Sequence, residues 1–176
     1  MASIRQILPN YTVEDYESWE GRWEIINGIA IAMSPMPSPR HQNIAGKVFR
    51  IIDEALEQTP CNHCKVYQPI DYKISETTVV NPDILVACAP INGQYLDFPP
   101  HLIVEILSPS TAFKDRNTKF DLYQSEGVKY YIMIDPSDES IDIYTLDDHM
   151  IYTKTNKTTF HFADDCEVIL DFAKSF

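Results

Sequence analysis

One carboxylate inside an otherwise apolar run constrains this chain more than any other feature. Leu102-Ile103-Val104-Glu105-Ile106-Leu107 has the near-continuous hydrophobicity of a central strand covered on both faces, and Glu105 interrupts it. A buried carboxylate is costly unless it is paired, hydrogen-bonded or bound to a cation. A second apolar run, Ile84-Leu85-Val86-Ala87, opens on Asp83 directly after Pro82. Either acid alone is explained as well by a strand end or a basic partner. Together, on neighbouring strands, they suit a cation site with open coordination positions.

The surrounding pattern gives the fold class. Thr12-Val-Glu-Asp15 matches a capping box at the start of a short acidic helix. Arg22–Asn27, Gly28 and Ile29–Met33 read as a hairpin turning on Asn27-Gly28. Ser34–Arg40 holds three prolines and reads as loop. From His41 to about Gln58, Ile44, Val48, Ile51, Ile52 and Ala55 recur at helical spacing. Lys65–Ile74 reads as one strand, followed by the two apolar runs. A second helix, capped by Asp115 and stopped by Gly127, leads to strands Lys129–Asp135, Ile141–Leu146, His149–Thr155 and Cys166–Leu170. The expected class is α/β (α+β), a mixed central β-sheet flanked by helices. At 176 residues, a single domain over 1–176 is expected.

Charge limits the partners. With 14 Lys+Arg against 26 Asp+Glu the chain carries a net charge of −12, and Tyr130–Thr153 contains no Lys or Arg. The nearest approach to a basic cluster is Lys114, Arg116 and Lys119. Tight, non-specific binding to a phosphate backbone is disfavoured, whereas a carboxylate metal site is not. No apolar run is long enough for a membrane span and Met1–Tyr11 does not read as a secretory signal, so no membrane partner and a cytoplasmic location are expected. Among the cysteines only Cys61-Asn-His-Cys64 has ligand-like spacing, and Cys88 and Cys166 lie far apart in apolar runs. Two reduced thiols in a surface loop, binding no metal, are expected rather than a zinc or redox centre.

Three other side chains are candidates. Glu24 lies between Trp23 and Ile25 in the first hairpin strand, and His41 begins the long helix. Lys119 lies one turn beyond Asp115, where it either reaches back to the acids or forms an ordinary surface pair with Asp115. Lys114 is placed on the outer approach to the helix.

Asn81-Pro82-Asp83, Val104–Ser110, Asp115…Lys119…Tyr123…Gly127-Val128, Tyr130–Pro136, Trp23–Gly28 and His41 together resemble the Uma-two family, over roughly Tyr11 to Leu146. The resemblance implies the PD-(D/E)xK restriction endonuclease-like fold and a metal-dependent endonuclease that hydrolyses phosphodiester bonds of nucleic acid, with DNA as substrate. The alternative is a catalytically degenerate nuclease-fold module with an interaction or regulatory role. The resemblance implies that Asp83, Glu105, the Ile106 carbonyl and His41 bind Mg²⁺ (or Mn²⁺), and that Asp83, Glu105, Lys119 and Glu24 are catalytic. It also implies a homodimer. Leu107 stands where that pattern places a strand lysine, and Lys119 on the following helix is the expected substitute.

Overall fold

The structure is a computed structural model that describes residues 8–33, 36–163 and 166–176. Its centre is a six-stranded mixed sheet in the order β10-β9-β8-β7-β6-β3, formed by Lys65–Tyr67 (β3), Ile84–Ala87 (β6), Leu102–Ile106 (β7), Tyr130–Asp135 (β8), Ser140–Leu146 (β9) and Tyr152–Thr155 (β10). β7 and β8 run parallel; the other neighbours are antiparallel. A parallel pair needs a crossover. Here it is Ala112–Lys114 (α3), a π-helical turn Asp115–Lys119, and Phe120–Ser125 (α4).

Because side chains alternate along a strand, β7 feeds two cores. Leu102, Val104 and Ile106 face α2 (Pro39–Glu57), which buries Ile44, Val48, Ile52 and Leu56 against them. The hairpin Thr159–Ala163 (β11) and Cys166–Ile169 (β12) completes that core with Phe160, Phe162 and Val168. Ile103 and Leu107 face the other way, against Tyr123, Tyr131, Val80 and Leu96. A four-stranded antiparallel sheet covers this second side, in the order β2-β1-β5-β4, from Trp23–Ile26 (β1), Ile29–Ala32 (β2), Tyr72–Ser75 (β4) and Thr78–Val80 (β5). Glu105 shares the parity of Ile103 and Leu107, so it points into the second core.

Several expectations need correction. The run Lys65–Ile74 is not one strand: it breaks around Pro69, and its halves join different sheets. A proline there removes a ladder donor and permits the turn between layers. β5 and β11 were not expected from the sequence. Asp115 does not cap the second helix, which starts at Ala112 and carries Asp115 buried within its π turn. The cysteines are neither reduced nor in an exposed loop. Cys61 and Cys64 are 1% and 5% exposed, and they form disulfides with Cys166 and Cys88. Partners 105 and 24 residues distant are invisible to local spacing. The capping box at Thr12 forms as expected, with Asp15 accepting from the Thr12 N–H at 2.8 Å. None of the helices of the described residues is long and apolar enough to cross a membrane.

The first hairpin turns on Asn27 (φ 51°) and Gly28 (φ 76°), both left-handed. A Cβ on Gly28 would lie 2.5 Å from Asn10 Oδ1 and 3.0 Å from Asn10 Cα. Gly28→Ala should therefore cost about 1–3 kcal/mol through the positive φ and the backbone clash. A lowered urea midpoint with an unchanged m-value checks this.

Candidate active site

The β6–β7 register pairs Ile84 with Val104, so one step outward Asp83 lies beside Glu105 at the strand ends. The Ile106 N–H donates to Asp83 Oδ2 at 2.8 Å and locks that placement. Both carboxylates line a pocket of about 550 Å³, together with His41, Ile106, Asp115 and Lys119.

Lys119 is the centre of the arrangement. Its side chain is 3% exposed, and Nζ lies 2.8 Å from Glu105 Oε1, 2.8 Å from Glu24 Oε1 and 3.7 Å from Asp115 Oδ1. Asp115 and Lys119 stand four residues apart at the two ends of the π turn, on one face, and both are buried. The surface-pair reading of Asp115 and Lys119 is thereby excluded. Glu105 Oε1 also accepts from the Tyr123 hydroxyl at 3.0 Å. Glu24 is fully buried; it accepts from the Asn81 N–H at 3.0 Å and ion-pairs with Lys114. Lys114 is therefore part of the site and not on its outer approach. Asn81 in turn bonds Asp71 at 3.0 Å and receives Arg22 at 2.9 Å, which ties Glu24 to the rim.

The electrostatics follow from the count of charges. Glu24, Asp83, Glu105 and Asp115 converge with, among the described residues, only Lys114 and Lys119 as ammonium partners. Burial acts to raise Glu24, but the Lys119 and Lys114 charges outweigh it and hold the carboxyl at about 2. Burial pushes Glu105 well above the usual carboxylate range, opposed by Lys119 and helped by Asp115 and Asp83. Asp115 is likewise raised by burial. Lys119 loses charge stability to burial and regains more from Glu105, Glu24 and Asp115, so it remains an ammonium. His41 turns Nε2 to Asp83 Oδ2 at 3.2 Å. Burial disfavours its protonated form, but the Asp83 bond, the Asp83 charge and a backbone bond to Ile106 together raise its pKa.

This donor set fits a hard divalent cation. Oxygen donors predominate, the carboxylates exceed the ammoniums by two, and Asp115 Oδ1 is a buried acceptor without a hydrogen-bond partner among the described residues. Asp83, Glu105 and the Ile106 backbone would hold such an ion at the pocket floor. His41 Nδ1 is also buried without a hydrogen-bond partner, while Nε2 is engaged by Asp83.

The sequence-predicted residues Glu24, His41, Asp83, Glu105, Ile106 and Lys119 thus meet in one place. Asp115, Lys114, Tyr123 and Asn81 were not singled out as site residues. A signal for two of them exists: Asp115, Lys119 and Tyr123 recur every four residues, a polar stripe on one helix face opposite Glu105. The supposed basic cluster is not a phosphate patch, since Lys114 pairs with Glu24, and Arg116 with Asp135 (3.0 Å) and Asp142 (3.5 Å).

Comparison with known proteins places the chain in a family and a fold. Residues 13–171 match the family model Uma2, described as "Putative restriction endonuclease". The chain belongs to the Uma2 family. A relative in Synechocystis sp. (strain ATCC 27184 / PCC 6803 / Kazusa), "Uncharacterized protein slr1290", is 30% identical, over 80% of this chain and 77% of its own length. The fold is shared with the crystal structure of "a putative nuclease belonging to DUF820" from Anabaena variabilis ATCC 29413, at a TM-score of 0.67 and 18% identity, covering 94% of this chain and 92% of that one. The Uma2 match takes in every residue of the carboxylate cluster, from Glu24 to Tyr123.

Glu24 gives a direct test of this charge balance. Its folded pKa of about 2 lies below the ordinary 4.5, so its contribution to stability is complete above about pH 4.5 and is lost as the pH falls toward 2. Glu24→Gln should destabilise the chain by about 3 kcal/mol at pH 7 by leaving Lys119 and Lys114 under-compensated. Urea midpoints of parent and variant should converge as the pH drops below 4.

Proposed function

We propose that the chain is a divalent-metal-dependent endonuclease that hydrolyses phosphodiester bonds of nucleic acid, with DNA as the expected substrate. The observation that carries this reading is the buried Lys119 ammonium held by Glu24 and Glu105 beside Asp83 at the floor of a pocket. Family membership supports it, as does the fold held in common with the Anabaena protein, which is described as "a putative nuclease".

Asp83, Glu105 and the Ile106 carbonyl would hold Mg²⁺ or Mn²⁺, with His41 supporting Asp83. A bound ion supplies Lewis-acid stabilisation of charge on the scissile phosphate. Lys119, kept charged by three carboxylates, is a donor and not a base: it orients the attacking water or stabilises negative charge building on phosphorus. Glu24 sets the position and charge of Lys119, and Lys114 steadies Glu24. Asp115, raised by burial and with Oδ1 lacking a hydrogen-bond partner among the described residues, is suited to take the proton of the attacking water. The lysine has moved from the strand to the helix, yet its ammonium still reaches Glu105, so Leu107 is free to fill the core beside Ile103. A homodimer belongs to the same reading, because a single acidic protomer offers no long cationic groove.

Cleavage of single- and double-stranded DNA and RNA, with Mg²⁺, Mn²⁺ or a chelator, tests the proposal. Activity should require the ion, and Lys119→Met should lower it by about 10²–10³-fold. Removing a buried charge also perturbs the fold, so Asp83→Asn, at a half-buried position, is the second variant. It should keep the native circular dichroism while weakening Mg²⁺ binding about tenfold or more by calorimetry. Absence of both ion binding and cleavage in the parent would leave the degenerate module as the better account.

A further inference from the structure

Strand β6 carries Asp83 just before one end and Cys88 just after the other, roughly 16 Å apart at about 3.3 Å per residue. At the Cys88 end lies a second cluster of metal-ligating atoms, separate from the carboxylates. His63, Cys64 and Cys88 each offer a donor atom, and all three lie within 4.8 Å of one another. Cys64 is buried, Cys88 half-buried and His63 exposed. The turn that presents Cys64 is closed by its N–H donating to the Cys61 carbonyl at 2.9 Å. Among the described residues no other group of three such side chains meets this way.

We propose that Cys64, Cys88 and His63 form a redox-gated site for a soft divalent metal of the zinc class. Oxidised, the site is the Cys64–Cys88 disulfide; reduced, it is a two-thiolate, one-imidazole centre. Two thiolates and an imidazole are ligands suited to zinc, and water fills the fourth tetrahedral position on the exposed His63 side. Metal–sulfur bonds of about 2.3 Å place the sulfurs roughly 3.8 Å apart, so the two side chains must swing apart once the disulfide is reduced, with His63 already within 4.8 Å of both.

The steps balance. A dithiol reductant gives two electrons and two protons to the Cys64–Cys88 bond and becomes a disulfide itself. Zn²⁺ then replaces the two thiol protons as both sulfurs bind. Either state fastens the turn after α2 to the end of β6, so the core keeps its staple while the chemistry of the staple changes. The Cys61–Cys166 bond ties the same turn to β12 and lies outside the cluster.

Cobalt titration of the full-length chain tests this, because thiolate ligation gives a near-ultraviolet charge-transfer band that carboxylate ligation does not. After reduction with a phosphine and desalting, one equivalent of Co²⁺ should produce that band with the strong visible bands of tetrahedral cobalt. Zn²⁺ should displace it. The oxidised protein, Cys64→Ser and Cys88→Ser should give none, and His63→Ala should weaken binding about tenfold or more. The Cys61→Ser/Cys166→Ser double variant should retain it. Absence of the band in the reduced parent, its loss in that double variant, or unchanged affinity in His63→Ala would each overturn the proposal. So would loss of native circular dichroism on reduction that zinc fails to restore.

Discussion

A buried ammonium holds this molecule's layers in register. Lys119 is reached by Glu24 from the small sheet, Glu105 from the central sheet and Asp115 from its own helix. Each of those carboxylates would be expensive to bury alone, and so would the lysine. Collected, they satisfy one another in a low-dielectric setting where the attraction is strong. The small sheet cannot slide over the central one without breaking Glu24 from Lys119. The helix cannot rotate without withdrawing Lys119 from Glu105. The structural knot and the candidate chemical centre are the same atoms.

Much of this was legible in the sequence, for identifiable reasons. Glu105 stood out because one acid in an apolar strand violates the local pattern. The Asn27-Gly28 hairpin and the long helix were legible because their signals are short-range and periodic. What escaped notice depends on the third dimension. The four-residue spacing of Asp115, Lys119 and Tyr123 marks one helix face, but spacing alone does not say whether that face meets solvent or core, so Asp115 read as a cap or a surface partner. The split of Lys65–Ile74 hinged on one proline and on which sheet had space for each half. The cysteine pairs join positions too distant for spacing to reveal. Glu24 was found by resemblance; its burial against two lysines became visible only with the sheets stacked.

The net charge of −12 also takes on a different meaning at residue level. Of the cations lining the pocket, Lys114 and Lys119 are committed to buried carboxylates, Arg40 pairs with Glu139 at 2.8 Å on the surface, and Arg22 donates to Asn81 at 2.9 Å. Long-range steering of a polyanion is therefore weak, and recognition would rest on contacts made inside the pocket. Its walls suit that, since Met33, Met36, Pro37, Pro109 and Pro136 line it beside Ser108, Ser110 and Thr111.

The order of the chain has a kinetic consequence. The elements around Glu105 and Lys119 are consecutive, so β7, the crossover helix and β8 can assemble from nearby segments. Glu24 arrives otherwise: β1 reaches the centre by pairing Ile25 with Val79 of β5, a contact that closes over the intervening β2, α2, β3 and β4. Closing that loop costs entropy before its contacts reward it. Assembly of the centre thus waits on the docking of the N-terminal hairpin. A half-folded chain, whether newly made or partly unravelled, holds Glu24 apart from Lys119, and the centre is complete only in the native state.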